Sequence, residues 1–193
     1  MYTFSIRECY HKSDLNERQG NEAKEKLLSK KLVEVVGLPK VAKKGRRPEA
    51  LVLTERGALE ATRLGLNVQP SAGRKGSLVH RYLMEAVADE LRKRGCKVEF
   101  EHPLGDGKAV DLLVDGGLAI EVETGDSDVV ANVEKLLRMN FERILIVCVD
   151  EPVKNKVREL VTVRAPKLVE SVIQVGELPG LIDSEFLERR DAR

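Results

Sequence analysis

Tryptophan is absent from this 193-residue chain, and aromatic residues make up only 4% of it. A single-strand binder built on base-stacking platforms is therefore disfavoured. Cysteine is nearly as scarce. Cys9, Cys96 and Cys148 are an odd number with no Cys-x-x-Cys spacing, which speaks against a disulfide framework and a zinc ribbon alike. Long apolar runs are missing too: the longest, Ile144–Val149, is far short of the roughly 18 residues a membrane helix needs. The opening residues, Met1 to Glu8, lack the basic flank and apolar stretch of a signal peptide. A soluble, cytoplasmic protein is expected. No phosphate-cradling Gly-x-x-x-x-Gly-Lys loop and no Gly-x-Ser-x-Gly elbow is present, so P-loop ATP binding and serine-hydrolase chemistry have no sequence support.

What is there is charge, at 34% of residues, beside a hydrophobic set of 42%. That balance permits a packed core. The formal net charge of +1 conceals an asymmetry. Residues 1–75 hold 16 basic and 9 acidic side chains, and the remainder 17 basic and 23 acidic. A basic segment joined to an acidic one hints at nucleic-acid contact by the basic part. The densest cluster, Lys40, Lys43, Lys44, Arg46 and Arg47, also reads as an ordinary solvated loop.

The segment 68–76, with Pro70, Ser71, Gly73 and Gly76, reads as a linker. It divides a module at 1–67 from a domain at 77–178, which leaves 179–193 as a C-terminal tail. In the first module, Asn21 is placed to cap a helix over 22–31. Strand-like segments at 32–36 and 50–53 flank the basic loop 37–48, and Thr54 caps a last helix. In the second, a helix from Ser77 to Arg94 buries Val79, Leu83, Val87 and Leu91 at steps of four, with Gly95 as its stop. Strands follow at 97–101, 109–114 and 118–123, then a helix from 127 or 128 to 140, a strand at 143–149, a helix from Pro152 to 161, and a strand at 169–175. This order implies an α/β fold with a mixed sheet flanked by helices.

The chemistry-bearing residues lie on two consecutive strands. Asp111 stands in Ala109-Val110-Asp111-Leu112, and Glu121 and Glu123 in Ala119-Ile120-Glu121-Val122-Glu123. Strand alternation puts the two glutamates on one face, and a hairpin through Asp115-Gly116-Gly117 brings Asp111 within reach. Carboxylates in apolar strands are costly to bury unless paired or metal-bound. Hard oxygen ligands suit Mg²⁺ or Mn²⁺, with waters left for a phosphate substrate. A Glu-x-Glu pair is equally at home on a solvated strand face. On the following helix Asp128, Asn132 and Lys135 share one stripe, so Lys135 is either a surface lysine or reaches toward the carboxylates. His80 borders the apolar face of its helix and reads as a core-edge histidine. Cys148 reads as a small buried hydrophobe.

The order helix, strand, Asp-bearing strand, hairpin, Glu-x-Glu strand, helix, strand resembles the PD-(D/E)XK nuclease superfamily. It is most similar to the archaeal Holliday-junction-resolvase-like and restriction-endonuclease-like branch, over about residues 76–176. By that resemblance Asp111 and Glu121 match the acidic motif residues. Glu123 falls where most members carry a catalytic lysine, although some restriction enzymes carry Glu-x-Glu. The resemblance also makes Asn132 a candidate polar residue at the active site, and sets His80 near a position where resolvase-like members place a metal-ligating acid. It implies a Mg²⁺-dependent DNA endonuclease acting as a homodimer. Asp111, Glu121 and Glu123 would be metal ligands, and Glu123 or Lys135 would assist the attacking water. Residues 12–66 resemble the back half of a winged-helix module. Its recognition helix and wing would place Lys24, Lys30, Lys40, Lys43, Lys44, Arg46 and Arg47 on DNA phosphates. The alternative is a DNA-binding regulator or assembly factor whose nuclease-like domain has lost activity.

Overall fold

The computed structural model describes residues 6–41, 47–67, 78–105, 107–139 and 141–183. Two compact units divide the chain, one of Met1–Leu38 with Arg46–Ser77, the other of Pro39–Gly45 with Leu78–Arg193. The linker 68–76, the Ser77 cap and Lys43, Lys44 and Arg46 lie outside the described residues.

The first unit runs α1 (Ile6–Lys12), α2 (Glu17–Ser29), β1 (Val33–Gly37), β2 (Glu49–Leu53) and α3 (Glu55–Arg63). Helix α2 begins a turn earlier than the Asn21 cap predicts. Asn16 and Gln19 form a reciprocal capping box, each side chain bonded to the other's backbone N–H. Asn21 instead sits inside the helix, where its Oδ1 accepts from the Tyr10 hydroxyl at 3.0 Å. The β1–β2 hairpin pairs antiparallel from Val33↔Leu53 to Gly37↔Glu49. Thr54 caps α3 as its sequence position predicts, accepting from Gly57 N–H at 3.0 Å and donating to Lys31 O at 2.7 Å. Gly57 must be glycine on steric grounds, because a Cβ there would lie 1.8 Å from Leu32 O.

The second unit comprises α4 (Leu78–Arg92), β3 (Val98–Gly105), β4 (Lys108–Val114), β5 (Leu118–Glu123), α5 (Val129–Arg138), β6 (Arg143–Cys148), α6 (Glu151–Arg164), β7 (Val172–Gln174) and α7 (Leu178–Asp183). Its five strands lie in sequence order, antiparallel from β3 through β5 and parallel from β5 through β7. The mixed sheet between helices matches the α/β class expected. Two details differ. Residues 166–171 form a 3-10 turn opened by Pro166, which shortens β7. The predicted tail at 179–193 begins inside a helix, since Leu178, Leu181 and Ile182 pack into the core beside α4.

One face of the sheet buries Leu112, Val114, Leu118, Ile120, Leu145 and Val147 against Leu83, Val87 and Leu91 of α4. The other buries Ala119, Ile146 and Cys148 against Val133 and Leu136 of α5 and Val157 and Val161 of α6. Each such aliphatic side chain contributes about 1.5–3 kcal/mol, which makes β5 and β6 a rigid base. Asp115 (φ 50) and Gly116 (φ 74) supply the left-handed backbone that a tight β4–β5 turn requires. Among the described residues no helix is long and apolar enough to cross a membrane.

Candidate active site

The paired backbones of β4 and β5 run from Val114↔Leu118 to Leu112↔Ile120. Beyond that point a side chain takes over: Asp111 Oδ2 accepts the Val122 N–H at 2.8 Å. The same oxygen lies 3.1 Å from His80 Nε2 on α4. Asp111 thus ties the two strands to the helix, and it keeps 19% side-chain exposure, so solvent still reaches it. His80, read from the sequence as a core-edge histidine, joins the site. Burial disfavours its imidazolium, but the Asp111 hydrogen bond and the charges of Asp111, Glu121 and Glu123 outweigh that and raise its pKa.

Glu121 and Glu123 share the face that alternation assigns them, at 2% and 1% exposure. Ion burial of this kind costs several kcal/mol unless it is compensated, and here each carboxylate has a partner. Lys135 Nζ stands 2.7 Å from Glu121 Oε1 and donates to Ala109 O at 2.8 Å. The lysine is 11% exposed, so it is a buried counter-ion rather than a surface side chain. At 2.7 Å the ammonium is a close charge partner for Glu121 Oε1. Burial, reinforced by the Asp111 charge and opposed by Lys135, pushes the Glu121 carboxyl up to about 7. Glu123 accepts from Asn132 Nδ2 at 2.9 Å and from Ser127 Oγ.

The helical stripe therefore works residue by residue. Asp128 caps α5 through Ala131 N–H, Asn132 holds Glu123, and Lys135 holds Glu121. Ser127 is a site residue that sequence reasoning missed. Its position between the Glu-x-Glu strand and the helix cap is the only sequence signal for it. Among the described residues, no group of three or more His, Cys, Asp or Glu side chains is arranged to hold a metal ion. Both Glu123 oxygens accept hydrogen bonds within the protein, one from Asn132 and one from Ser127.

Of the residues assigned to DNA, Lys30 and Lys40 are exposed. Lys24 is 23% exposed and lies 3.6 Å from Glu25. Arg47 Nε donates to Leu38 O at 3.0 Å, so this side chain closes the base of the hairpin.

Compared with known protein families, with curated proteins and with solved structures, the chain matches none.

Proposed function

We propose that the second unit hydrolyses DNA phosphodiesters with a divalent cation held by Asp111 and Glu121, and that the first unit grips the DNA. The supporting observation is the arrangement around Glu121. A buried carboxylate, its pKa pushed up to about 7, has a like-charged neighbour in Asp111 and a lysine supplied by the next helix. Excess negative charge on hard oxygens at a partly open edge fits Mg²⁺ or Mn²⁺, which need only one or two carboxylates and retain waters. When bound, such a cation polarises the phosphate and lowers the pKa of a water.

The protein's own residues do the rest. His80 and the Val122 N–H fix the Asp111 carboxylate. Asn132 and Ser127 fix Glu123, whose charge keeps the site negative. Lys135 is the cation available to a phosphate oxygen, and it occupies the role that position 123 leaves vacant. A winged-helix-like module would present α2 and the β1–β2 loop to the duplex; α2 supports this by burying only Gly20, with Ala23, Lys24 and Leu28 half-buried and its other residues exposed. A homodimer would allow both strands to be cut.

The second reading, an inactive DNA-binding regulator, is favoured by one observation: each carboxylate already has a protein partner. Glu121→Gln separates the two. It should abolish metal-dependent cleavage while leaving DNA affinity nearly unchanged. A wild-type protein that binds DNA but never cuts it is the regulator.

A further inference from the structure

Opposite Asp111 the regular alternation of two strands breaks down. Strands β3 and β4 pair from Val98↔Val114 to Phe100↔Leu112 and resume at His102↔Val110. Glu101 and Asp111 are the two residues between those pairs. Glu101 is exposed and has φ 46, a left-handed backbone that residues other than glycine rarely adopt. Within a regular strand, residues two apart share a face and residues three apart do not. On β4, however, Leu112 belongs to the core against α4, whereas Val110 belongs to the core against α5 and α6. On β3, His102 Nδ1 lies 3.1 Å from Glu99 Oε2, three residues away. Both strands therefore reverse face at the same step.

The reversal decides where the Asp111 carboxylate goes. Leu113 packs on the α5 face, and unbroken alternation would add Asp111 to that face. The register Leu112↔Ile120 would then set it directly across from Glu121, with Cβ atoms roughly 5 Å apart. Glu121 and Glu123 already occupy that face, held by Lys135 and Asn132. A third carboxylate there would add like-charge repulsion in a buried layer. Asp111 Oδ2 instead reaches the Val122 N–H at 2.8 Å and His80 Nε2, on α4, at 3.1 Å.

We infer that Glu101 is a positioning residue for Asp111. Its left-handed backbone reverses β3, β4 follows in register, and the Asp111 carboxylate turns from the α5 layer toward His80 and Val122. Glu101 acts through its main chain and not through its carboxylate. The inference deepens the hydrolase function proposed above and rests on that reading only for what the aimed carboxylate does.

The test compares the full wild-type chain with three variants. Glu101→Gly adopts a left-handed backbone without a Cβ penalty, Glu101→Gln removes only the charge, and the branched Cβ of Glu101→Val opposes that backbone. Imidazole ¹⁵N spectra in EDTA read the His80 Nε2 bond with no cleavage involved. His80→Gln assigns the signal among the chain's three histidines, and Asp111→Ala shows it with the carboxylate removed. Glu101→Gly and Glu101→Gln should keep the wild-type Nε2 signal, while Glu101→Val should move it toward that of Asp111→Ala. A folded Glu101→Val with the wild-type signal, or a moved signal in either other variant, overturns the inference. If Glu101→Val does not fold, the urea midpoint of Glu101→Gly decides: at or above wild type supports the backbone role, and below it overturns that role. With Mg²⁺ and saturating DNA, Glu101→Val should cut on the order of a hundredfold slower than Glu101→Gly; equal rates overturn the positioning role. A wild type that cuts no DNA defeats the hydrolase reading, and the His80 spectra still decide the role of Glu101.

Discussion

Replacing Glu121 with Gln should change how stability depends on pH, and the sign follows from the site. The Glu121 carboxyl titrates near 4.5 when exposed and at about 7 in the folded protein. Between those values the folded state keeps a proton that the unfolded state has released, so stability falls as pH rises. A shift of this size, at about 1.4 kcal/mol per unit, removes about 3 kcal/mol between pH 5 and pH 8. His80 acts in the same direction. Its raised pKa contributes stability that is present below 6.5 and is lost as pH rises through the folded value.

Other perturbed groups act outside this window. The carboxyls of Glu90 and Glu177, lowered by hydrogen bonds to Lys93 and Lys154, lose stability only below 4.5. Burial pushes the Cys148 thiol from 9.0 to about 12, so it acts above that range. Urea denaturation from pH 5 to pH 8 therefore reads Glu121 and His80 alone among the shifted groups of the described residues. Wild type should lose stability steeply across the range. Glu121→Gln should keep only the shallower slope that His80 provides, whatever its absolute stability after Lys135 loses its counter-charge. A flat or rising wild-type profile, or the same slope in both proteins, refutes this electrostatic description of the site.

Further outcomes are expected. Millimolar Mg²⁺ or Mn²⁺ should raise the melting temperature of wild type by mass action and leave that of Asp111→Asn unmoved; equal shifts in calorimetric melts would remove Asp111 from the metal site. Gly57→Ala should cost the first unit about 1–3 kcal/mol, the usual penalty of overpacking, since its Cβ would overlap Leu32 O; an unchanged urea midpoint would contradict that crowding. Replacing Lys43, Lys44, Arg46 and Arg47 with Ala should weaken binding on every DNA sequence and flatten the salt dependence by about 0.9 for each phosphate no longer neutralised. Unchanged affinity and slope would leave the basic loop without a DNA role.

Much of the second unit could be read from pattern alone. The continuous apolar run of β6, the four-residue steps of α4 and the Asp-Gly turn each determine local structure by themselves. Two-residue alternation sufficed to put Glu121 and Glu123 on one face, and the helical stripe put Asp128, Asn132 and Lys135 on one side of α5 without deciding between surface and site for Lys135. Partners from distant parts of the chain were not legible. The His80 contact depends on α4 crossing β4, and the Lys135 bond to Ala109 O on α5 packing beside the hairpin; neither crossing leaves a local signal. The start of α2 was missed because Asn16 and Asn21 are both good caps. Gln19, three residues after Asn16, is what settles the choice. The segment of α7 reads as tail in the sequence because Leu178, Leu181 and Ile182 are too few to show a period outside the core that buries them.

The most direct measurement is cleavage of branched, nicked and linear DNA by wild type and Asp111→Asn, with Mg²⁺, with Mn²⁺ and with EDTA. Metal-dependent cutting by wild type, abolished in EDTA and in Asp111→Asn, is the predicted result. No cutting of any substrate in either metal, or equal cutting by Asp111→Asn, would contradict the proposal that these carboxylates carry phosphodiester hydrolysis.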